Sequence, residues 1–328
     1  MPLVSVIVVN WNGERLLQPC LAALQRQTYA DREIILVDNG STDSSVSLVR
    51  RKFPEVKIVE LPENRGFAGG NNAGLAASRG RVIALMNNDA QADEKWLDHM
   101  MQALLSDPRV GMCASKLLFD GSGRIQSAGD GLTTAGAGYS RGLGRAEAFF
   151  PVPDFVFGAC AASALYRREM IEEIGFLDEE FFFNDEDTDL NCRAQLAGWK
   201  CLYVPDGVVH HKGSATIGRL SEQHVYYHSR NLEFVWVKNM PGALMLRYAH
   251  HKVLQEIGSF CYLCLRHGKW KPFFKGKSDA LRKLPLMLRR RREVQLKRRA
   301  STQHVKHLLT PLYSKEVLRQ KVNQFFRG

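Results

Sequence analysis

The chain has 328 residues, 45% hydrophobic and 24% charged, enough for one large domain with an appendage and of a composition that excludes disordered and fibrous classes. Its net charge of +11 is unevenly placed: residues 1–240 carry 24 Lys and Arg against 30 Asp and Glu, and residues 241–328 carry 21 against 4. The basic character therefore belongs to a C-terminal segment and says nothing about a site in the acidic body.

The first element is "VSVIVV", a β-branched run read as a buried strand. It is too short, and too poor in preceding basic residues and in a small-residue cleavage site, to be a secretion signal. A polar turn, Asn10 to Gly13, leads into "RLLQPCLAALQRQ", whose apolar residues recur at helical spacing. The unit returns as "EIILVD", the turn "NGST", and the helix "SSVSLVRRKF", which Asp43 or Ser44 can cap. A third strand, "VKIVEL", passes through the glycine-rich "NRGFAGGNNAG", expected as a loop. A fourth, "RVIALMN", ends at "NNDA". Strands alternating with helices predict an α/β fold with right-handed crossovers and a mostly parallel sheet covered on both faces.

Residues 115–160 are rich in glycine and small residues, which predicts long flexible loops of the kind that form lids. Regular structure resumes at "VFGACAASALYRREMIEEIGFLDE", followed by the acidic "FFFNDEDTDLNCRAQLAGW" and a strand "KCLYVP". Beyond residue 240 the pattern is helical and basic, so the chain divides at 1–240 and 241–328. No stretch reaches the about 18 uncharged apolar residues of a spanning helix, since Arg247, Lys252 and Glu256 interrupt the best candidate. Seven scattered cysteines speak for a reducing, cytoplasmic setting. The isolated Cys261-x-x-Cys264 reads as two apolar neighbours on a helix.

In an open α/β sheet the ligand crevice lies beyond the carboxyl ends of the strands. Polar residues gather there: Asn10 and Asn12 after the first strand, Asp38 and Asn39 after the second, Asn64 after the third, Asn87, Asn88 and Asp89 after the fourth. Asp89 is the best first ligand for a divalent metal, and Asp38 can accept hydrogen bonds from a base or ribose. Asp185, Glu186, Asp187 and Asp189 crowd into "NDEDTDL" beside three phenylalanines. Crowded carboxylates raise one another's proton affinity, which suits a general base. His210 and His211 are adjacent on an extended segment, so at most one faces the crevice, where it can serve as a neutral metal ligand.

Together "SVIVVNWNG", "EIILVDNGSTD", "NRGFAGGNNAG", "LMNNDA", "FFFNDEDTDLNCRAQLAGW" and "VVHHKGSAT" resemble, in order and spacing, the family 2 glycosyltransferases. The likeness is greatest to the rhamnosyltransferase-like branch that builds cell-surface polysaccharide, and it covers about residues 3–240. The resemblance implies a GT-A fold, a nucleotide-binding half with a mixed sheet joined to an acceptor-binding half, and inverting transfer by a single displacement. It puts Asn10, Asn12, Asp38, Asn39 and Asn88 at the nucleotide sugar, with Asn64, Gly66 and Asn72 shaping the glycine-rich segment beside it. Asp89 matches the last acid of the family's D-x-D metal motif, whose first acid is here Asn87, and His211 fits the family histidine. The cofactor implied is Mg or Mn. Asp187 is the implied base, with Glu186 and Asp189 as supports, and Arg230 in "YYHSRN" would reach the diphosphate or an anionic acceptor.

The implied donor is dTDP-rhamnose, ahead of UDP- or GDP-sugars, and the acceptor a hydroxyl of a saccharide or lipid-linked saccharide. A sugar-phosphate nucleotidyltransferase would need a glycine-rich basic loop after the first strand, where "NWNGERLL" has one glycine and no lysine. A nucleic-acid contact is not expected of a basic tail joined to an acidic body. In that tail Trp270, Phe273, Phe274, Leu284, Leu286, Met287 and Leu288 are interleaved with cations, which predicts peripheral docking on an anionic membrane surface, at the inner face of the cytoplasmic membrane.

Overall fold

A computed structural model describes residues 2–213, 218 and 220–327. Its first half alternates as the periodicity predicts: β1 (Val4–Asn10), α1 (Glu14–Gln25), β2 (Arg32–Asn39), α2 (Ser45–Lys52), β3 (Lys57–Leu61), α3 (Gly66–Ala77), β4 (Val82–Asn87), β5 (Ala90–Ala92) and α4 (Trp96–Leu105). Next come β6 (Val110–Phe119), β7 (Arg124–Ala128), β8 (Asp130–Thr133), β9 (Gly138–Ser140), β10 (Asp154–Val156), β11 (Ser163–Arg167), α5 (Arg168–Ile174), α6 (Glu186–Ala197) and β12 (Lys200–His211). The remainder is α7 (Glu222–Asn239), α8 (Gly242–Phe260), a π-helical turn (Cys261–Arg266), α9 (Trp270–Arg282), α10 (Leu284–Leu296), α11 (Thr302–Leu308), β13 (Leu309–Thr310) and α12 (Lys315–Arg327).

The main sheet runs β3-β2-β1-β4-β11-β6-β12-β10. β1 pairs in parallel with β2 and β4, and β2 with β3, so the carboxyl ends of all four strands share one edge. β11 then inserts antiparallel between β4 and β6, making the sheet mixed. Side chains alternate across it. Val4, Val6 and Val8 pack with Leu17, Leu21 and Trp96 on one face, while Ile7 packs with Ile35, Ile83 and Met170 on the other. Each such side chain, fully withdrawn from water, contributes about 1.5–3 kcal/mol, so slipping β1 by one residue would exchange both cores at once.

Two expectations change. The glycine-rich segment is helix α3, not a loop, because its glycines allow close approach to the sheet: a Cβ at Gly70 would meet Val9 at 2.7 Å and one at Gly74 would meet Ile7 at 2.4 Å. Residues 115–140 are not long loops but strands joined by turns, several with glycine at positive φ, among them Gly121, Gly129 and Gly136, whereas residues 141–153 run without strand or helix between β9 and β10. β8 and β9 form a second sheet with β13, which the C-terminal segment supplies.

That segment is folded against the body. Gly276 lets α9 touch α7, its missing Cβ being 2.5 Å from the Tyr226 carbonyl. Met287 and Val294 of α10 are buried with Phe234 and Trp236 of α7. Arg290 pairs with Asp178, Lys283 with Glu180, and Arg299 with Glu173. Part of the tail's positive charge is thus neutralised by body carboxylates. All seven cysteines are free, Cys264 among the buried ones.

Candidate active site

At the shared strand edge, pairing sets Asn10 beside Asp38. The Asn10 side chain, fully buried, accepts from Asn88 Nδ2 at 2.9 Å and donates to Ser41 Oγ at 3.3 Å. Asn12 has the left-handed φ of 50° that asparagine tolerates, and its Oδ1 accepts from the Thr42 amide at 2.8 Å. Asp38 Oδ2 accepts from the Ser41 amide at 3.1 Å, whereas its buried Oδ1 has no hydrogen-bond partner among the described residues. A buried acceptor left open in a crevice is a place where a ligand donor fits.

Asn39 donates to Asn64 Oδ1 and to the Gly66 carbonyl, both at 3.0 Å, and accepts from the Arg65 amide at 2.9 Å. Asn64 also accepts from the Gly66 amide at 2.8 Å. These two side chains therefore hold the entry to α3. Gly66 itself has φ +72°, and any Cβ there would lie 2.3 Å from the Phe182 carbonyl, so only glycine fits. Asn72 lies on the far side, donating to the Leu177 carbonyl at 2.9 Å and to Glu179 at 3.0 Å.

The short β5 pairs antiparallel with the end of β12, placing Ala90 opposite His211. That register brings His211 Nε2 to 2.9 Å from Asp89 Oδ1 and 3.2 Å from Asn87 Nδ2, all but Asn87 buried. Gln126 Oε1, at 2.8 Å, takes the hydrogen on Nδ1 and thereby turns the Nε2 lone pair toward Asp89. An imidazole nitrogen and a carboxylate oxygen this close can share one divalent cation. The donor set of carboxylate oxygen and imidazole nitrogen fits Mn or Mg, with Asn87 beside it. His210 points away, its Nε2 3.5 Å from Asp93. The small hydroxyl run Ser214 to Thr216 lies outside the described residues.

The acidic segment enters α6 through a loop in which Phe182, Asn184 and Asp185 all have φ between 62° and 67°. Such residues each cost of order 1–3 kcal/mol and persist only when neighbours over-determine them. Here α7 does so. The Asn231 side chain faces the carbonyls of Phe181, Phe183 and Asn184 at 2.7–2.9 Å, and His228 Nδ1 meets Asp185 at 3.1 Å. Arg230 has a different partner set from the diphosphate expected of it. It donates to the carbonyls of Glu180 and Phe181 at 2.6 and 3.0 Å and is 5% exposed among Tyr226, Tyr227 and Phe234.

Asp187 is half-buried, its Oδ2 accepting from the Ala161 amide at 3.2 Å and its Oδ1 from the Thr188 amide at 2.7 Å. Burial, then the charge of Asp185, raises its proton affinity above the ordinary aspartate range even against those amides. Glu186 is pushed up further by burial and by Asp187, and its Oε2 is buried without a hydrogen-bond partner among the described residues. Asp189 does not share this position. Its carboxylate is fully buried against Arg193 at 2.8 Å and Lys238 and Asn239 at 2.9 Å. Burial would raise it, but Lys238 and Arg193 more than offset that and hold it well below the usual range. It ties α6 to α7 instead of facing the acceptor side.

One acid escaped the sequence reading. Asp130 lies within 4.8 Å of both Asp187 and the Cys160 thiol, accepts from Ser127 Oγ at 2.8 Å, and is raised to about 7 by burial and by the charge of Asp187. In the sequence it stands alone between glycines, the look of a turn aspartate. Gln126, which orients His211, is equally unmarked there.

A family model described as Glycosyl transferase family 2 matches residues 5–175, slightly more than half of the chain. The chain belongs to glycosyltransferase family 2. The N-acetylglucosaminyl-diphospho-decaprenol L-rhamnosyltransferase of Mycobacterium tuberculosis is 28% identical to this glycosyltransferase over 258 residues, covering 69% of this chain and 81% of the relative. An uncharacterised Sinorhizobium fredii protein is 30% identical over 230 residues, 66% of this chain but only 25% of that longer protein. Among solved structures, the transferase superposes on a Pyrobaculum calidifontis mannosyltransferase in complex with GDP-Man and Mn2+ at a TM-score of 0.55 and 18% identity, over 98% of this chain and 84% of the other. It superposes on GalNAc-T7 with UDP, GalNAc and Mn2+ at 0.54 and 15% identity, over 73% and 50%. At these identities the likeness is one of fold, and the glycosyltransferase has the GT-A fold. The matched span ends at Gly175, ahead of the acidic loop and α7.

Proposed function

We propose that this glycosyltransferase moves L-rhamnose from dTDP-rhamnose, with inversion, onto a hydroxyl of a lipid-linked saccharide, with a divalent metal at Asp89 and His211. The observation that carries the reading is Asp187: a half-buried carboxylate whose proton affinity is raised and whose two oxygens are aimed by backbone amides. In that state it takes the proton of the attacking hydroxyl while the nucleotide diphosphate leaves from the opposite side of the sugar, which inverts the anomeric carbon. Asp38 Oδ1 receives a donor from the nucleoside, and Asn10, Asn12 and Asn88 form the polar shelf beneath it. Asp89 and His211, with Asn87 beside them, would hold a divalent metal, which would supply positive charge opposite the departing diphosphate. Mutual bonding of Asn39, Asn64 and Gly66, and the hold of Asn72 on residues 177–179, keep the shelf and the acidic loop in register. The rhamnosyl donor and lipid-linked acceptor draw support from the mycobacterial relative's name, the metal from the Mn2+ of both solved neighbours.

Among the described residues no helix is long and apolar enough to cross a membrane. The tail supports peripheral docking differently from the sequence expectation. Phe273 and Met287 are buried in the fold, while Trp270, Phe274 and Leu288 are 43–53% exposed among lysines and arginines. The deciding experiment is a thermal-shift panel of dTDP-, UDP- and GDP-sugars with and without manganese, since a ligand of the folded state raises its melting temperature. It is followed by NMR of the product's anomeric configuration. Stabilisation by a UDP- or GDP-sugar but not by dTDP-rhamnose would replace the donor. A retained configuration would remove the single displacement.

A further inference from the structure

Helices α7, α8, α9 and α10 enclose an open groove of about 520 Å³ whose walls are almost wholly apolar, among them Phe234, Val237, Phe260, Ala280, Leu281 and Met287. That volume is in the range of small-molecule sites. The charged groups at its side, Glu233 and Glu256 against Lys252 and Lys277, are paired with one another, so none is left to receive a charged ligand. Lys252 and Lys277 accordingly hold the Glu256 carboxyl down, to about 2, against its burial. Ile257 and Leu281 at the groove are 53% and 71% exposed. Leaving apolar side chains of this size in water is unfavourable, and among the described residues they stay uncovered.

Resting on the proposed lipid-linked acceptor, we infer that this groove binds the hydrocarbon chain of that acceptor. Three observations select this occupant. The interior recognises only apolar matter, while the surrounding segment, with 21 Lys and Arg against 4 Asp and Glu, attracts an anionic phosphate head. A second copy of the chain would bring the same excess of positive charge to the face and be repelled. The groove also backs onto the segment that leads to the acidic loop: Phe234 in its wall meets Phe181 edge to face at 5.6 Å, and His228, six residues earlier on α7 and so about 9 Å along the helix, holds Asp185. A chain lying in the groove leaves its head within reach of the acidic loop.

The test uses the full chain and farnesyl diphosphate as probe, titrated by calorimetry, with farnesol and inorganic pyrophosphate as the hydrocarbon and head-group controls. Farnesyl diphosphate is expected to bind more tightly than either control. Ala280→Phe, which fills the groove, and Leu281→Asp, at an exposed position that leaves folding undisturbed, should each weaken it about tenfold, the effect of losing roughly two buried methylenes. Both variants should keep the wild-type thermal shift with nucleotide sugar. Binding no tighter than pyrophosphate, or unchanged in both variants, overturns the inference. So does a sedimenting dimer that Leu281→Asp dissolves, since the occupant is then a second copy. Flotation of the unmutated full chain on vesicles of anionic phospholipid separates the readings: a chain that floats yet binds farnesyl diphosphate no more tightly than pyrophosphate leaves peripheral docking intact and removes the groove.

Discussion

Asp130 and Asp187 lie with carboxylate oxygens no more than 4.8 Å apart, the thiol of Cys160 completing the group. Two carboxylates this close and this poorly solvated resist ionising together, so they titrate as a pair. Around them stand Asp185, whose charge raises Asp187 further, and the Cys160 thiol, which burial keeps protonated. The acid limb of the kcat/KM profile is expected above the range of an ordinary aspartate. Asp130→Asn removes the like charge beside the base and should move that limb to lower pH. A limb that stays in place would mean that Asp130 does not act on the base.

Asp187→Asn should reduce transfer by about 10²–10⁴-fold, the usual worth of a positioned base. Nucleotide-sugar affinity, read by titration without acceptor, should stay within a few-fold, because the base acts on the acceptor proton. Retained turnover would pass the role to Glu186 or Asp130.

Glu186 sets up an opposite trade. Its folded proton affinity is raised above the unfolded value near 4.3, so the stability it contributes is full below that pH and declines as pH rises. Glu186→Gln abolishes the decline. Thermal melts should show the variant gaining on the wild type from pH 5 to pH 8, and a constant gap would disprove the buried-charge account.

The Lys238 link reads the other way. Asp189 is depressed, so its contribution is present above the unfolded value near 3.9 and is lost as pH falls through the lower folded value. Lys238→Met leaves Asp178 and Asp189 short of their shared cation at 2.6 and 2.9 Å. Urea unfolding at pH 7 should report a loss of about 3–5 kcal/mol.

Manganese should stabilise the protein further in the presence of a nucleoside diphosphate, and His211→Ala should abolish that increment. Gln126→Ala, which frees the ring orientation, should weaken it by about 10–100-fold in metal affinity. An undiminished manganese shift in His211→Ala would move the ion elsewhere, to the Asp130, Cys160 and Asp187 cluster first.

The strands β1 to β4 and their polar ends were legible because each is a short β-branched run followed by a turn, a pattern set by local chemistry. The strands between 120 and 160 were not. They are short, and one of their partners, β13, lies at residues 309–310, so the pairing that stabilises them is invisible to any local window. Asp89 and His211 could be picked out as strand-end residues, but only the pairing of β5 with β12 joins them. Arg230 misled for a related reason: a cation in a polar motif suggests an anionic ligand, whereas its acceptors here are main-chain carbonyls about fifty residues away.

The ion pairs of Lys283, Arg290 and Arg299 with Glu180, Asp178 and Glu173 bear on how such enzymes can be recombined. The C-terminal helices look like an interchangeable cassette, yet their cations close onto acids just ahead of the loop that leads into α6, the helix carrying the base. A chimera that takes its tail from a relative would leave those carboxylates facing the wrong side chains, in contact with a loop already strained at three positions. Swaps in this scaffold should therefore move residues 173–185 and the tail as one piece, even though more than 50 residues of sequence separate them.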